Sequence, residues 1–247
     1  MKLLKLFLLL FVGLTFIHSI KAQPNFATDT IKTNSGDLLI TFVGHGSLNF
    51  SYSGKNIYID PVSRYADYSI FPKADIILVT HQHGDHFDQE TIKLIEKPTS
   101  TIYLTQACAE KSDGKSTVLY NGDSVILGNI KIEAVPAYNL VHKRDNGSPF
   151  HPKGEGNGYV ITFDNIKVYI AGDTENVPEM ANLKDIDIAF LPMNLPYTMT
   201  PDMVADAVEL FKPKILYPYH FGETNINDLL GLMKSRTYCE VRIRDMK

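Results

Sequence analysis

The run Asp75 to Thr80 (DIILVT) shows no alternation of polar and apolar residues, and it ends directly in His81-Gln82-His83-Gly84-Asp85-His86. A strand with one wet face alternates, so a run as uniformly apolar as this one belongs to a strand covered on both faces. The chain therefore folds in several layers around that strand. It also delivers four side chains able to hold a metal, within six residues, at the strand's end.

The rest of the chain is read outward from this strand. Before it lie short β-rich runs at Leu38 to Val43, Leu48 to Ser53 and Asn56 to Asp60, with Ser53-Gly54 as a hairpin signal. After it, Asp88 caps a helix over Gln89 to Glu96, and a strand and a short helix occupy Thr101 to Lys111. Further strands follow at Thr117 to Tyr120, Ser124 to Leu127 and Ile130 to Pro136, and then a polar, Gly-rich loop from Asn139 to Asn157, long enough to suggest function. Gly158 to Phe163 and Ile166 to Ala171 make a second hairpin around Asp164-Asn165. Ile186 to Leu191 is another buried strand, and Thr200 caps a helix from Pro201 to Phe211 that leads into the strand Ile215 to Tyr219. A last helix and strand close the chain. Two runs of strands, each followed by mixed helix and strand, predict two sheets face to face with helices outside.

With 247 residues, and no Pro/Gly/Ser-rich linker or long charge run to divide them, the chain reads as one domain over residues 23–247. Residues 1–22 are a separate segment. Lys2 and Lys5 precede an apolar run from Leu6 to Ile17, and Ser19 to Ala22 offers a small-residue exit, the layout of a signal peptide cleaved after Ala22. The run is too short, and too broken by Gly13 and Thr15, for a membrane anchor. The mature protein is thus expected in a periplasm or outside the cell, with no stable membrane span. Cleavage removes three lysines and no acids, which takes the formal net charge from −4 to −7. A mildly acidic chain is a poor candidate for gripping nucleic acid through a broad basic face, though local basic pockets stay open. Cys108 and Cys239 are either a pair or two separate buried thiols; their spacing does not decide.

Imidazole nitrogens with a carboxylate suit zinc, manganese or iron, whereas an oxygen-only set would suit calcium or magnesium. Gly84 is read as the tight turn that lets His81 and His83 face one ion while Asp85 and His86 face another. Asp173 follows the run IKVYIAG and His220 follows ILYPY, so each stands where a strand ends, and ligands delivered from strand ends are well placed to converge.

HQHGDH, the later AGD and the late PYH occur in the order seen in the metallo-β-lactamase superfamily. More closely, FVGHGSLNF, IYIDP, DIILVTHQHGDH, VPAYN, VYIAGDT, FLPMNLPYTMTP and KPKILYPYH resemble the branch of metal-dependent hydrolases that includes ascorbate-6-phosphate lactonase, over nearly all of residues 38–221. The resemblance implies an α+β fold, the αββα sandwich, with a site for two divalent ions at one edge. Zinc is the first choice, with manganese or iron as alternatives. It places His81 and His83 on the first metal, Asp85, His86 and His220 on the second, and Asp173 between them. Asp85, Asp173 and His220 are the residues expected to carry catalysis.

One position departs from the pattern. Where the superfamily usually supplies a third histidine to the first metal, VPAYN puts Asn139. His142 and His151 lie in the following loop; His151 is favoured because glycines follow it, and the alternative is a surface residue. Asp60, ending NIYID, is expected to accept a hydrogen bond from a ligand histidine and fix its tautomer, and His45 to do similar work, touch substrate or be a buried structural histidine. Asn139, Asn194 and Tyr197 are candidate substrate contacts. The function expected is an exported hydrolase that activates water on its metals to cleave an ester, lactone, amide or phosphodiester in a small molecule or lipid. The alternatives are a binding protein whose site has partly decayed, and di-iron redox chemistry, which would need a flavin partner domain. Oligomeric state leaves no mark on the sequence.

Overall fold

The computed structural model describes residues 26–247; the expected leader, residues 1–22, lies outside them. Strands β1 (Thr28–Thr33), β2 (Gly36–Gly44), β3 (Ser47–Tyr52) and β4 (Lys55–Ile59) form an antiparallel meander. Strand β5 (Ile76–Leu78), helix α1 (Gln89–Ile95), strand β6 (Thr101–Leu104), helix α2 (Gln106–Ala109) and strand β7 (Thr117–Val118) complete the first sheet, in which β4 to β7 run parallel. The second sheet opens with β8 (Ser124–Leu127), β9 (Ile130–Ala137), β10 (Gly156–Phe163) and β11 (Ile166–Ile170), all antiparallel. It continues in parallel through β12 (Ile188–Pro192), α3 (Pro201–Phe211), β13 (Ile215–Tyr219), α4 (Ile226–Met233) and β14 (Glu240–Val241). Each sheet has seven strands in sequential order.

Strand β5 explains the layering. Ile76 and Leu78 face the inter-sheet core with Phe50, Ile57, Ile161 and Phe190, while Ile77 and Val79 face the opposite side with Ile92 and Ile95 of α1. Both faces are covered, as its lack of alternation requires, and each such aliphatic side chain contributes roughly 1.5–3 kcal/mol on burial. On the outer face of the second sheet, Phe211 of α3 meets Tyr169 edge-on at 5.6 Å. The result is the four-layer αββα sandwich. No helix among the described residues is long and apolar enough to cross a membrane.

Most strands lie where the sequence puts them, with ends shifted by a residue or two. The exception is β1, which its sequence does not announce: TDTIKT alternates only between exposed and half-buried positions. It is an edge strand held by backbone pairing to β2 and by Asp29, whose carboxylate accepts from Arg244 and the Tyr217 hydroxyl, rather than by a buried apolar face. Cys108 and Cys239 are free, buried thiols in different core clusters.

Candidate metal centre

The ends of β4, β5, β11 and β13 meet at one edge of the sandwich. Asp60 follows β4, with φ 44°, and accepts from the Thr80 amide (2.7 Å) and the Thr80 hydroxyl (2.6 Å). Its Oδ2 lies 2.7 Å from His86 Nδ1, so the imidazole donates there and turns its Nε2 into the cluster. The same logic fixes His81. The Thr80 hydroxyl donates to Asp60, so its oxygen is free to accept from His81 Nδ1 at 3.0 Å, and His81 Nε2 points into the cluster. Gly172, with φ 65°, donates its amide to Tyr219 Oη (2.9 Å), which turns the chain after β11 so that Asp173 enters the same space. His220, after β13, is buried with φ 46°.

The donors form overlapping groups. His81, His83 and His151 each offer an atom within 4.8 Å of the others, and so do Asp85, His86, His220 and His45. Asp173 stands between the two sets: its Oδ2 is 3.2 Å from His151 Nε2, 3.5 Å from His220 Nε2 and 3.8 Å from His81 Nε2, and its Oδ1 is 3.4 Å from His86 Nε2. His86 Nε2, His151 Nε2, His220 Nε2 and Asp173 Oδ1 are buried without a hydrogen-bond partner among the described residues. Buried polar atoms are seldom left so, and four aimed at one space fit a cation.

The charge balance points the same way. Burial opposes ionisation of Asp173, but His220, His86 and His151 outweigh it and hold the carboxyl well below the usual range. Burial likewise opposes protonation of His86, yet Asp173, Asp60 and Asp85 raise its pKa to about 9. Burial and the neighbouring imidazoles push His81 well below its usual value and His83 down to about 4, so the pull toward positive charge lies on the Asp173 and His86 side of the cluster.

The structure changes several details. Gly84 does lie in a tight turn, closed by the His86 and Phe87 amides donating to His83 O at 3.0 and 2.8 Å. That turn does not depend on a glycine, because the Gly84 backbone lies outside the left-handed region and a Cβ there would meet nothing within 4 Å. The glycine the site does require is Gly46, where a Cβ would lie 2.7 Å from His86 Cε1. His151 is buried inside the cluster, not a surface residue, while His142 turns away, its Nδ1 2.8 Å from Glu175 Oε1. Asn139 is buried and faces His151, Glu175 and Tyr197 rather than the cleft, so it is not placed to touch substrate. His45 stacks on Tyr65 and sets its Nε2 3.2 Å from Asp85 Oδ2. Asn194 and Tyr197 do line the cleft, of about 370 Å³, with His83, Asp85, Arg144 and Phe150. Sequence reasoning did not single out Glu175, Arg144 or Phe150.

Residues 39–220 match the family model of the beta-lactamase superfamily domain. The chain belongs to that superfamily. Within it, the chain belongs with the UPF0173 metal-dependent hydrolases: it is 34% identical over 195 residues to one from Pyrococcus furiosus and 32% to one from Thermococcus onnurineus, each time covering 74% of this chain and 84% of the relative. Among solved structures, a protein of Parabacteroides distasonis described as a metal-dependent hydrolase is 52% identical, with a TM-score of 0.86 over 90% of this chain and 100% of that one. The metallo-beta-lactamase fold protein YhfI of Bacillus subtilis, at 15% identity, has a TM-score of 0.65 over 81% of this chain and 88% of its own, a likeness of fold alone.

Proposed function

We propose that the mature protein is an exported, dinuclear metal-dependent hydrolase acting on an ester, lactone, amide or phosphodiester bond of a small molecule or lipid. The observation that carries this reading is the convergence of His86 Nε2, His151 Nε2, His220 Nε2 and Asp173 Oδ1, all buried and unpartnered, on one space. His81, His83 and His151 would hold one divalent ion, Asp85, His86 and His220 the other, and Asp173 would touch both. Three imidazoles, or two with a carboxylate, suit zinc best. When bound, such ions supply Lewis acidity and a lowered pKa for water.

The chain's own groups do the rest. Asp60 and Thr80 hold two imidazoles in the tautomer that presents Nε2. Asp173 is the carboxylate placed to take a proton from an attacking water. Asn194 and Tyr197, on the cleft wall, are placed to meet an oxygen that gains negative charge. Phe150 packs edge-on to Tyr197 at 5.0 Å and carries the Arg144 guanidinium over its ring at 5.1 Å, which gives the cleft one apolar, cation-edged wall. The leader over residues 1–22 supports export.

The test is metal analysis of the purified mature protein joined to a screen of ester, lactone, amide and phosphodiester substrates. Two equivalents of zinc and turnover abolished by chelation are expected; full turnover in a metal-free preparation contradicts the proposal. Amino-terminal sequencing of the exported chain should begin at Gln23.

A further inference from the structure

Asn139 stands where a third histidine is usual, and its surroundings show what it does instead. Its Oδ1 faces two nitrogens of His151, the backbone amide at 2.8 Å and Nδ1 at 2.8 Å. Its Nδ2 faces two oxygens, Glu175 Oε1 at 3.1 Å and Tyr197 O at 2.9 Å. A backbone amide can only donate, and a carbonyl or carboxylate oxygen can only accept, so these neighbours fix which end of the side-chain amide is oxygen. His151 Nδ1 therefore meets an acceptor and must carry the proton. In the neutral imidazole the lone pair is then on Nε2, which is buried 3.2 Å from Asp173 Oδ2 in the metal cluster.

Glu175 completes the arrangement. Its buried carboxylate accepts from the amides of Leu140, Val141 and His142, each at 2.7 Å, as well as from Asn139. The backbone joins in: Tyr138 N donates to Thr174 Oγ1 (3.1 Å) and Glu175 N to Tyr138 O (3.0 Å). The segment that delivers Asp173 thus also holds Asn139, and Asn139 holds His151.

We propose that Asn139, locked by Glu175, is a positioning residue that imposes the Nδ1-protonated tautomer on His151 and so makes a loop histidine into a ligand of the first metal. This rests on His151 holding metal, as proposed above. An amide is suited to the place because its oxygen accepts two hydrogen bonds from His151 while its nitrogen donates two, to Glu175 and Tyr197; a neutral imidazole has only one donor and one acceptor nitrogen. The asparagine is then a replacement for the missing ligand, by way of a neighbour, and not a mark of decay.

Two measurements test the proposal. In wild-type protein, ¹⁵N-resolved imidazole spectra should show His151 with a proton on Nδ1, with and without zinc; a His151 protonated on Nε2 and not on Nδ1 overturns it, whatever any variant does. The second is a double-mutant cycle read by zinc competition against a chromophoric chelator. Asn139→Leu should weaken one of two zinc sites by roughly 10–100-fold, the usual effect of losing a ligand's supporting hydrogen bond. Glu175→Gln should weaken the same site less. In a His151→Ala background Asn139→Leu should have no further effect. An equal loss with and without His151 would make Asn139 a general structural residue and overturn the proposal, as would a wild-type affinity in Asn139→Leu. Failure of wild-type protein to bind any zinc would instead defeat the hydrolase reading itself.

Discussion

The side chains of the proposed metal centre have two kinds of support. Asp85, His86 and His220 leave short turns at the ends of β5 and β13, and the support for His86, Asp60, ends β4. His151 comes from the long connection between β9 and β10, and is supported by Asn139 and Glu175, side chains of the loops themselves. His81 and His83 also follow β5, so every side chain of the proposed centre but His151 inherits its precision from the sheets, and His151 must find its support in the loops. Loop-borne ligands therefore need a dedicated hydrogen-bond network, and the structure supplies one.

The comparison can be broken by removing a ligand from each half. His86→Ala should lower kcat/KM by more than the roughly 100-fold typical of a residue that only supports a ligand, with the chain still folded by circular dichroism. A variant that keeps most of its activity would mean that the strand-borne half is not the working one. Asp60→Asn is the next largest: the side-chain amide cannot accept from both the Thr80 amide and His86 as the carboxylate does, so affinity for the second zinc should drop by about 10–100-fold, and for the first by less, through the Thr80 hydroxyl that supports His81. Calorimetric titration with zinc would show the two binding phases weakened unequally; equal weakening would contradict the assignment. Gly46→Ala should be milder and equally one-sided. Its new Cβ would press on the His86 ring at 2.7 Å, and we expect roughly a tenfold loss at the second site, visible in cobalt-substituted spectra as an altered band for one ion only.

The smallest effect on the centre is a control away from both halves. Asp29 on β1 is bound by Arg244, with Nη2 at 2.6 Å, and by the Tyr217 hydroxyl. Partial burial raises its pKa, but these partners outweigh that and hold it below the usual carboxylate range. A depressed folded-state pKa adds stability above the unfolded value, and that stability fades as pH falls toward the folded one. Asp29→Asn should therefore cost about 1–3 kcal/mol at neutral pH and less near pH 3, by urea unfolding, with zinc affinity unchanged. A change in zinc affinity would show that the centre is coupled to the whole sandwich rather than to its own edge.

The same contrast explains what the sequence disclosed. His81, His83, Asp85 and His86 lie within six residues after an apolar strand, and Asp60, Asp173 and His220 each follow such a strand, so local pattern placed them. The buried strands were legible for the same reason, whereas β1, half-exposed along its length, was not. His151 stayed open between ligand and surface because its role depends on Asn139, twelve positions earlier, and on Glu175, twenty-four later. Nothing in TEN distinguishes a buried carboxylate that accepts three amides from an ordinary exposed acid. Its one signal is position, two residues after Asp173 in a segment otherwise short of charge. The turn at Gly84 was legible, but not that hydrogen bonds to His83 O hold it without any need for a glycine.

The most direct measurement is the zinc content of the mature protein at equilibrium, compared between the wild type, His86→Ala and His151→Ala by mass spectrometry of the intact complexes. Two ions in the wild type and one in each variant, with the remaining ion held by the untouched half, is the predicted result. A wild type that binds no zinc, or a His151→Ala protein that still carries two ions at wild-type affinity, would contradict the account.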